Sequence, residues 1–194
     1  VAVDATGDAD LCFLAGEETE SLDSNVLAGW FYHFDERGLH LHKLSNPSNP
    51  RAGKEGAVGP FFRGDDAEQV TAHVLGSRDL IRRKLAEICA QHPDGDVQLV
   101  SPPMIACLRM TRRLVADFSL GAQHVHTWFH DAVGLTGDWR HPGPVYAIPW
   151  RALCGARTCN LLAAGRCMSA DTTVWDVMRA IPPCAVTGTA AGAG

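Results

Sequence analysis

Residue types able to do chemistry gather at the two ends of this 194-residue chain. Near the C-terminus the apolar run Leu161 to Ala164 stops at Gly165, Arg166 and Cys167. This pattern predicts a buried strand whose backbone leaves the sheet close to a ligand. The guanidinium fork that follows is shaped for a phosphate or carboxylate, although a surface Arg after a buried strand is the plainer alternative. Further on, Pro182-Pro183 precede Cys184, Ala185 and a run of small residues. They predict a helix start whose backbone N–H groups face an electron-rich acceptor, with a thin Ala/Gly face suited to close approach on a flat ligand. At the other end, Val1 to Val3 predicts a short buried strand that delivers Thr6, Gly7 and Asp8 at its C-terminal end, where open α/β sheets bind ligands. Turn preference alone would also explain Gly7 and Asp8.

Two other groups of side chains invite a chemical reading. Arg109, Arg112 and Arg113 form a cationic set on or after a strand, where alternation puts Arg109 and Arg113 on one face and Arg112 on the other. Salt bridging or solvent exposure is the ordinary fate of such a set. Among nine histidines, His40 with His42, and His124 with His126 and then His130, have spacings that suit chelation on a strand. No third and fourth ligands stand at a recognisable spacing, so the sequence assigns no metal and predicts exposed polar alternation instead. Seven cysteines include no Cys-x-x-Cys pair, which argues against a dithiol relay and predicts reduced, buried thiols.

The elements that must position these residues are partly readable. Gly29 to Phe34, Asp35 to Gly38, and Leu39 to Leu44 predict a hairpin. Asn46 to Gly59 is rich in Pro, Gly, Ser and Asn and predicts a loop. Asp65 with Glu68 forms a capping signature, after which Val70, Val74, Ile81, Leu85 and Ile88 trace an apolar helical stripe up to His92-Pro93. Asp94-Gly95 predicts a turn into a strand at Val97 to Val100, and two further strands are expected at Met104 to Arg109 and Leu114 to Leu120. At 46% hydrophobic the chain can bury one core, or a core plus a satellite. A formal charge of −5 gives no basic footprint for nucleic acid, and no apolar run approaches the roughly 20 residues that span a bilayer.

Between the ends, Cys107 to Leu120, containing Arg109-Met-Thr-Arg112-Arg113, and Ala147 to Leu153 complete a pattern. Together with Ala5-Thr6-Gly7-Asp8, Ala164-Gly165-Arg166 and the Ala/Gly tail, they resemble FAD-dependent oxidoreductases of the glutathione-reductase-like FAD/NAD(P)-binding superfamily. The resemblance covers residues 1–19 and about 103–194, while the stretch from about 20 to 100 matches loosely. It implies an α/β fold, namely a partial Rossmann-like domain with an inserted α+β cap. Residues 1–19 and 126–194 would form the FAD-binding segments and 20–125 the cap or substrate region. No Gly-x-Gly-x-x-Gly fingerprint occurs in the chain, so a C-terminal portion of a longer protein is expected.

The resemblance also implies roles. FAD would be the cofactor and a small organic molecule the substrate, with hydride passing between them and a cytoplasmic setting expected. Thr6, Gly7 and Asp8 would approach its phosphate or ribityl region. Gly165 and Arg166 stand where related flavoproteins have a Gly-acid pair, and Arg166 would reach the pyrophosphate instead. Cys184 and Ala185 would turn backbone N–H groups toward the pyrimidine edge. Arg179 and Arg112 would hold the substrate's carboxylate or carbonyl. Where relatives often carry a His-Glu pair, this chain has Thr172-Thr173, which leaves Asp171 and Asp176 as nearby acids or points to a non-catalytic binding scaffold. A flavin monooxygenase is disfavoured because no aromatic-His-Pro run follows Ala164, and a histidine-based metal hydrolase is the remaining alternative.

Overall fold

The computed structural model describes residues 1–45, 60–93 and 95–194. The expected loop at 46–59 and Asp94 of the expected Asp94-Gly95 turn lie outside the described residues. In chain order the elements are β1 (Ala2–Asp4), α1 (Asp10–Leu14), β2 (Thr19–Ser21), β3 (Trp30–Asp35), β4 (Gly38–Lys43), α2 (Ala67–Gln91), β5 (Gln98–Ser101), β6 (Arg112–Leu114), β7 (Ala132–Gly137), β8 (Val145–Pro149), β9 (Leu161–Ala163), α3 (Thr172–Met178) and α4 (Ile181–Ala193). This mixture of helices and strands is consistent with an α/β fold. The chain divides into two compact units, residues 1–22 with 110–194, and residues 23–109.

In the first unit β1 runs parallel to β9, pairing Ala2 with Leu161, Val3 with Leu162 and Asp4 with Ala163. β2 pairs antiparallel with β6, and β7 with β8. The core is built around Trp175, Leu120, Ile148, Leu153, Met168 and Met178, all fully buried. A smaller cluster of Ala9, Cys12, Leu114, Leu161, Ala163 and Cys167 lies beneath the β1–β9 pair. β9 is buried as its apolar run predicts, and Gly165 follows it with φ +66°. β1 departs from expectation, because Ala2 and Val3 are exposed and only Asp4 is buried. Its apolar side chains stand on a strand whose described partner is β9 alone.

The second unit has a three-stranded sheet in the order β4, β3, β5, with α2 packed through Ile81 and Ile88 against Phe31. The hairpin forms as its turn residues dictate, Asp35 pairing with Gly38 at φ +114°. α2 is capped by Asp66 rather than Asp65, its carboxylate accepting from the N–H groups of Glu68 and Gln69 at 3.0 Å each. Its buried stripe also differs from the expected one. His73 and Ser77 replace Val70 and Val74 on the buried face, where His73 Nε2 donates to the Val26 carbonyl at 2.8 Å and Ser77 Oγ accepts from Ala28 N–H at 2.9 Å. The segment opposite is irregular backbone whose polar groups need partners, so polar side chains win those positions over valine.

Two strand expectations fail locally. Residues 104–109 form no strand, and Met104 and Ile105 stand exposed. Residues 114–120 hold only the end of β6 and an isolated bridge from Leu120 to Ala170. The first stretch follows Pro102-Pro103 and is diluted by Ala106 and Cys107, and the second is interrupted by Asp117 and Ser119, too closely spaced to sustain a ladder.

Candidate functional site

The ends of β1 and β9 are tied together by the turns that follow them. The Ala164 N–H donates to the Asp4 carbonyl at 2.9 Å, extending the parallel pairing by one bond. After β1 the chain turns through Thr6, Gly7 and Asp8, with Gly7 at φ +85°. Buried Asp4 organises this turn from below. Its carboxylate accepts from Thr6 N–H (3.1 Å), Thr6 Oγ1 (2.7 Å) and Cys12 N–H (2.8 Å). Burial pulls the Asp4 pKa upward, but those donors overcome it and hold the carboxyl below its usual range.

After β9, residues 165–167 make one tight helical turn. The Gly165 N–H donates to Thr187 Oγ1 of α4 at 2.9 Å, and Trp175 Nε1 of α3 donates to the Arg166 carbonyl at 2.7 Å. Both helices therefore hold this turn in place. Arg166 reaches across to the β1 turn, where Nε donates to the Gly7 carbonyl and Nη2 lies 3.0 Å from Asp8 Oδ1. The Gly7 N–H points at Cys167 Sγ, 3.1 Å away, and burial pushes that thiol up to about 11. Its left-handed torsion favours glycine at Gly7, and a Cβ there would stand 2.9 Å from Arg166 Cζ, so a larger residue would displace the guanidinium.

Thr6, Gly7, Asp8, Gly165 and Arg166 thus form one cluster, and Arg112 joins it. The Arg112 guanidinium is buried, donates to the Asp8 carbonyl at 2.8 Å, pairs with Asp10 and stacks over Phe13. Thr111 Oγ1 donates to the Asp8 carboxylate. Cys184 lies beside Gly165, whose added Cβ would be 3.4 Å from Cys184 Sγ. Its backbone N–H is already bonded to the Ala180 carbonyl at 3.1 Å, and the prolines at 182 and 183 carry none, so Ile181 supplies the donor at the tip of α4. Ala185 is exposed on the next position.

Arg179 ends α3 and is set apart from these turns by its own network. Its Nε and Nη2 lie 2.8 and 2.6 Å from Asp176 Oδ1, and its guanidinium stands 5.5 Å from the Trp139 ring. Arg140 bridges Asp138 at 2.7 Å and Asp176 at 3.7 Å. Asp171 caps α3, accepting from Val174 N–H at 2.8 Å, and also accepts from Ala122 N–H at 2.9 Å. Both acids near Thr172-Thr173 therefore have structural partners. Arg113 is buried in a pair with Glu20, and Arg109 belongs to the other unit, its N–H donating to Asn25 Oδ1 at 2.6 Å.

The cysteines are free, but only Cys12 and Cys167 are buried, contrary to the expectation that most would be. Cys89 near the end of α2 and Cys159 in the turn before β9 are exposed. In the second unit the hairpin histidines also depart from expectation. The alternation is inverted, with Leu39 and Leu41 exposed while His40 and His42 share the more buried face with His33 and Asp35. The sequence reading overlooked His33 and Asp35. The two-residue turn between Asp35 and Gly38 was the signal that places His33 opposite His40.

Residues 18–194 match the protein family described as FAD dependent oxidoreductase. The chain belongs to that family. Membership implies FAD as the cofactor and a flavin-linked redox role. Comparison with curated proteins and with solved structures finds no match. Among the described residues, no helix is long and apolar enough to cross a membrane.

The cluster's chemistry suits the cofactor of this family. A half-exposed guanidinium, a hydroxyl, a carboxylate and two glycines with positive φ meet at the C-terminal ends of parallel strands, where open sheets seat ligands. A hydroxyl and a carboxylate match ribityl hydroxyls, and the guanidinium matches a phosphate.

Proposed function

We propose that this chain contributes the flavin-contacting ends of β1 and β9 to an FAD-dependent oxidoreductase of the glutathione-reductase-like superfamily, acting on a small organic substrate. The observation carrying this reading is the pair of interlocked turns, in which Arg166 spans Gly7 and Asp8. Thr6, Gly7 and Asp8 would hold the ribityl and phosphate region with Gly165, and Arg166 the pyrophosphate. The α4 tip would act through Ile181 N–H and the helix dipole rather than through Cys184 N–H, while Cys184 and Ala185 bring its thin face close. When bound, FAD accepts or donates the hydride, and the protein supplies orientation and electrostatics.

In this reading the segment from about residue 20 to 125 is the cap or substrate region, inserted into a partial Rossmann-like domain. Within residues 23–109, Ile81, Leu85, Leu99, Pro102, Pro103 and Met104 line a groove of ≈ 400 Å³ with Arg78 and Arg82 at its side, a lining suited to an apolar molecule bearing an anionic group. Arg179 would orient a substrate carboxylate or carbonyl, its fork aligned by Asp176, and Arg112 would stabilise the turn that presents Asp8 while adding positive potential.

Titration of the protein with FAD, followed by amide chemical shifts, tests this directly even if binding is weak. Shifts concentrated at Thr6 to Asp8 and Gly165-Arg166 are expected. Saturable binding that leaves those amides unmoved would overturn the assignment. A binding scaffold without turnover is the second reading. It is favoured by one observation, that Asp171 is spent as a helix cap and Asp176 as an ion-pair partner beside Thr172-Thr173.

A further inference from the structure

The β3–β4 hairpin gathers imidazoles in a way that its β-structure alone does not require. His33 and His40 are directly paired across the strands, with ring centroids 4.7 Å apart and planes at 16°. Asp35 lies two residues beyond His33 on the same face of β3 and is buried. His40 Nε2 stands 2.8 Å from Asp35 Oδ1, and His33 Nε2 stands 3.6 Å from Asp35 Oδ2. One ligand atom from each of the three residues falls within 4.8 Å of the others. Ligands around a tetrahedral ion with bonds of about 2.0 to 2.1 Å sit roughly 3.3 Å apart, so small side-chain rotations suffice to close the set.

We propose that His33, Asp35 and His40 form a binding site for a borderline divalent first-row metal ion of the Zn²⁺ type, with His42 as the residue that positions His33. The donor set decides the class of ion. Two neutral imidazoles and one carboxylate suit such ions, whereas Mg²⁺ and Ca²⁺ demand six or more oxygen ligands. Three protein ligands leave a fourth position for water. His42 Nε2 lies 2.7 Å from His33 Nδ1, and a proton on His33 Nδ1 donated to His42 leaves the His33 Nε2 lone pair aimed at the ion. The Phe31 ring stacks on His42 at 4.8 Å and closes the far side of this arrangement. Asp35 is held ready by the Arg37 N–H at 2.8 Å. On binding, the proton that His40 shares with Asp35 through Nε2 moves to Nδ1 or to solvent, and the ion takes its place. The ion would then clip β3 to β4 next to the turn that joins them.

The test is a calorimetric titration of the full chain, stripped with chelator, with Zn²⁺, together with the visible spectrum after Co²⁺ addition. One Zn²⁺ per chain is expected, at micromolar or tighter affinity, with the intense bands of four-coordinate Co²⁺. His40→Ala, on a partly exposed side chain, should weaken binding at least about 100-fold, and His42→Ala about 10-fold. Asp35→Asn provides a second ligand variant should His40→Ala fail to fold by circular dichroism. His130→Ala, in the other unit, should change nothing. The site is refuted if Zn²⁺ does not bind saturably, if the folded ligand variants bind like the parent, or if excess Mg²⁺ displaces the ion.

Discussion

Arg166, from the turn after β9, places its Nη2 3.0 Å from Asp8 Oδ1 in the turn after β1, although 158 residues separate them in the chain. Together with Cys167 Sγ, which the Gly7 N–H meets, it joins the two turns proposed to hold the cofactor. It makes the mutual geometry of those loops testable by substitution.

Gly7→Ala should destabilise more than Gly16→Ala. Both glycines have left-handed φ, +85° and +81°, so each alanine carries the torsional cost of about 1 kcal/mol. Only at Gly7 does the new Cβ meet the Arg166 guanidinium, whereas at Gly16 it meets open space. Arg166 can swing aside, but it then gives up its bonds to Gly7 and Asp8, adding roughly another 1 kcal/mol. Urea unfolding of the two variants measures the difference, and equal midpoints would refute the coupling.

Arg166→Ala should lower FAD affinity at least about tenfold, because a charged contact to phosphate contributes on the order of 1.5 to 3 kcal/mol. Arg166→Lys should recover little of it, since a point charge replaces a planar fork. Fluorescence quenching of FAD at matched protein concentration reads the effect. Parent-like quenching in Arg166→Ala would remove Arg166 from the cofactor site.

Arg179→Lys separates the substrate role from the structural one. The charge opposite buried Asp176 is retained, so the unfolding midpoint should stay near the parent's. Reduction of bound flavin by substrate should nevertheless slow about a hundredfold, equivalent to about 3 kcal/mol. Arg179→Ala should instead cost about 3 kcal/mol of stability, because buried Asp176 then keeps, among the described residues, the Arg140 contact at 3.7 Å as its ion pair. Rapid-mixing reduction of the Lys variant at the parent's rate would make Arg179 purely structural.

Asp4 and Glu17 should give the first unit an acid-sensitive anchor. Burial raises the Glu17 pKa, but the Thr158 side chain and the N–H groups of Arg157, Thr158 and Ala156, at 3.1, 2.7 and 2.9 Å, overcome it and hold the carboxylate below its usual value, as the donors at Asp4 do there. A depressed folded-state pKa contributes stability above the unfolded value, near 4, and that stability disappears as pH falls through the lower folded value. Stability should therefore decline from about pH 4 downward. Asp4→Asn and Glu17→Gln should each flatten that decline in acid titrations followed by tryptophan fluorescence, while lowering stability at neutral pH.

Locally encoded features were legible in the sequence. The Pro182-Pro183 helix start, the apolar Leu161–Ala163 strand before Gly165 and the Asp35 to Gly38 turn depend on torsions that neighbouring residues fix. β7 escaped notice because Gly134 and Gly137 dilute its alternation, and the space at Gly134 is taken by Val186 of α4, a tertiary contact. His73 and Ser77 of α2 were invisible as core residues because their burial depends on backbone groups at Val26 and Ala28, distant in sequence. At the candidate site, Thr6, Gly7, Asp8 and Arg166 were readable as a set through resemblance. Arg179 meeting Asp176 at i,i+3 and Cys184 N–H bonding the Ala180 carbonyl at i−4 are local contacts that follow from where α3 ends and α4 begins, and the sequence reading did not draw them.

The parallel pairing of β1 with β9 joins three residues at each end of a loop of almost the whole chain. Closing such a loop costs entropy early and returns few bonds, so in the order of folding this contact belongs late. The nucleus should arise instead among β7, β8 and α4, whose contacts are closer in sequence. Opening of the β1 turn should accordingly be the least costly local fluctuation of the first unit, and amide exchange at Val3, Asp4 and Gly7 should outpace exchange in β8. If the β1 turn holds the cofactor as proposed, the segment that grips it would also be the one released most easily, and a bound nucleotide would have a kinetic path in and out without unfolding of the core.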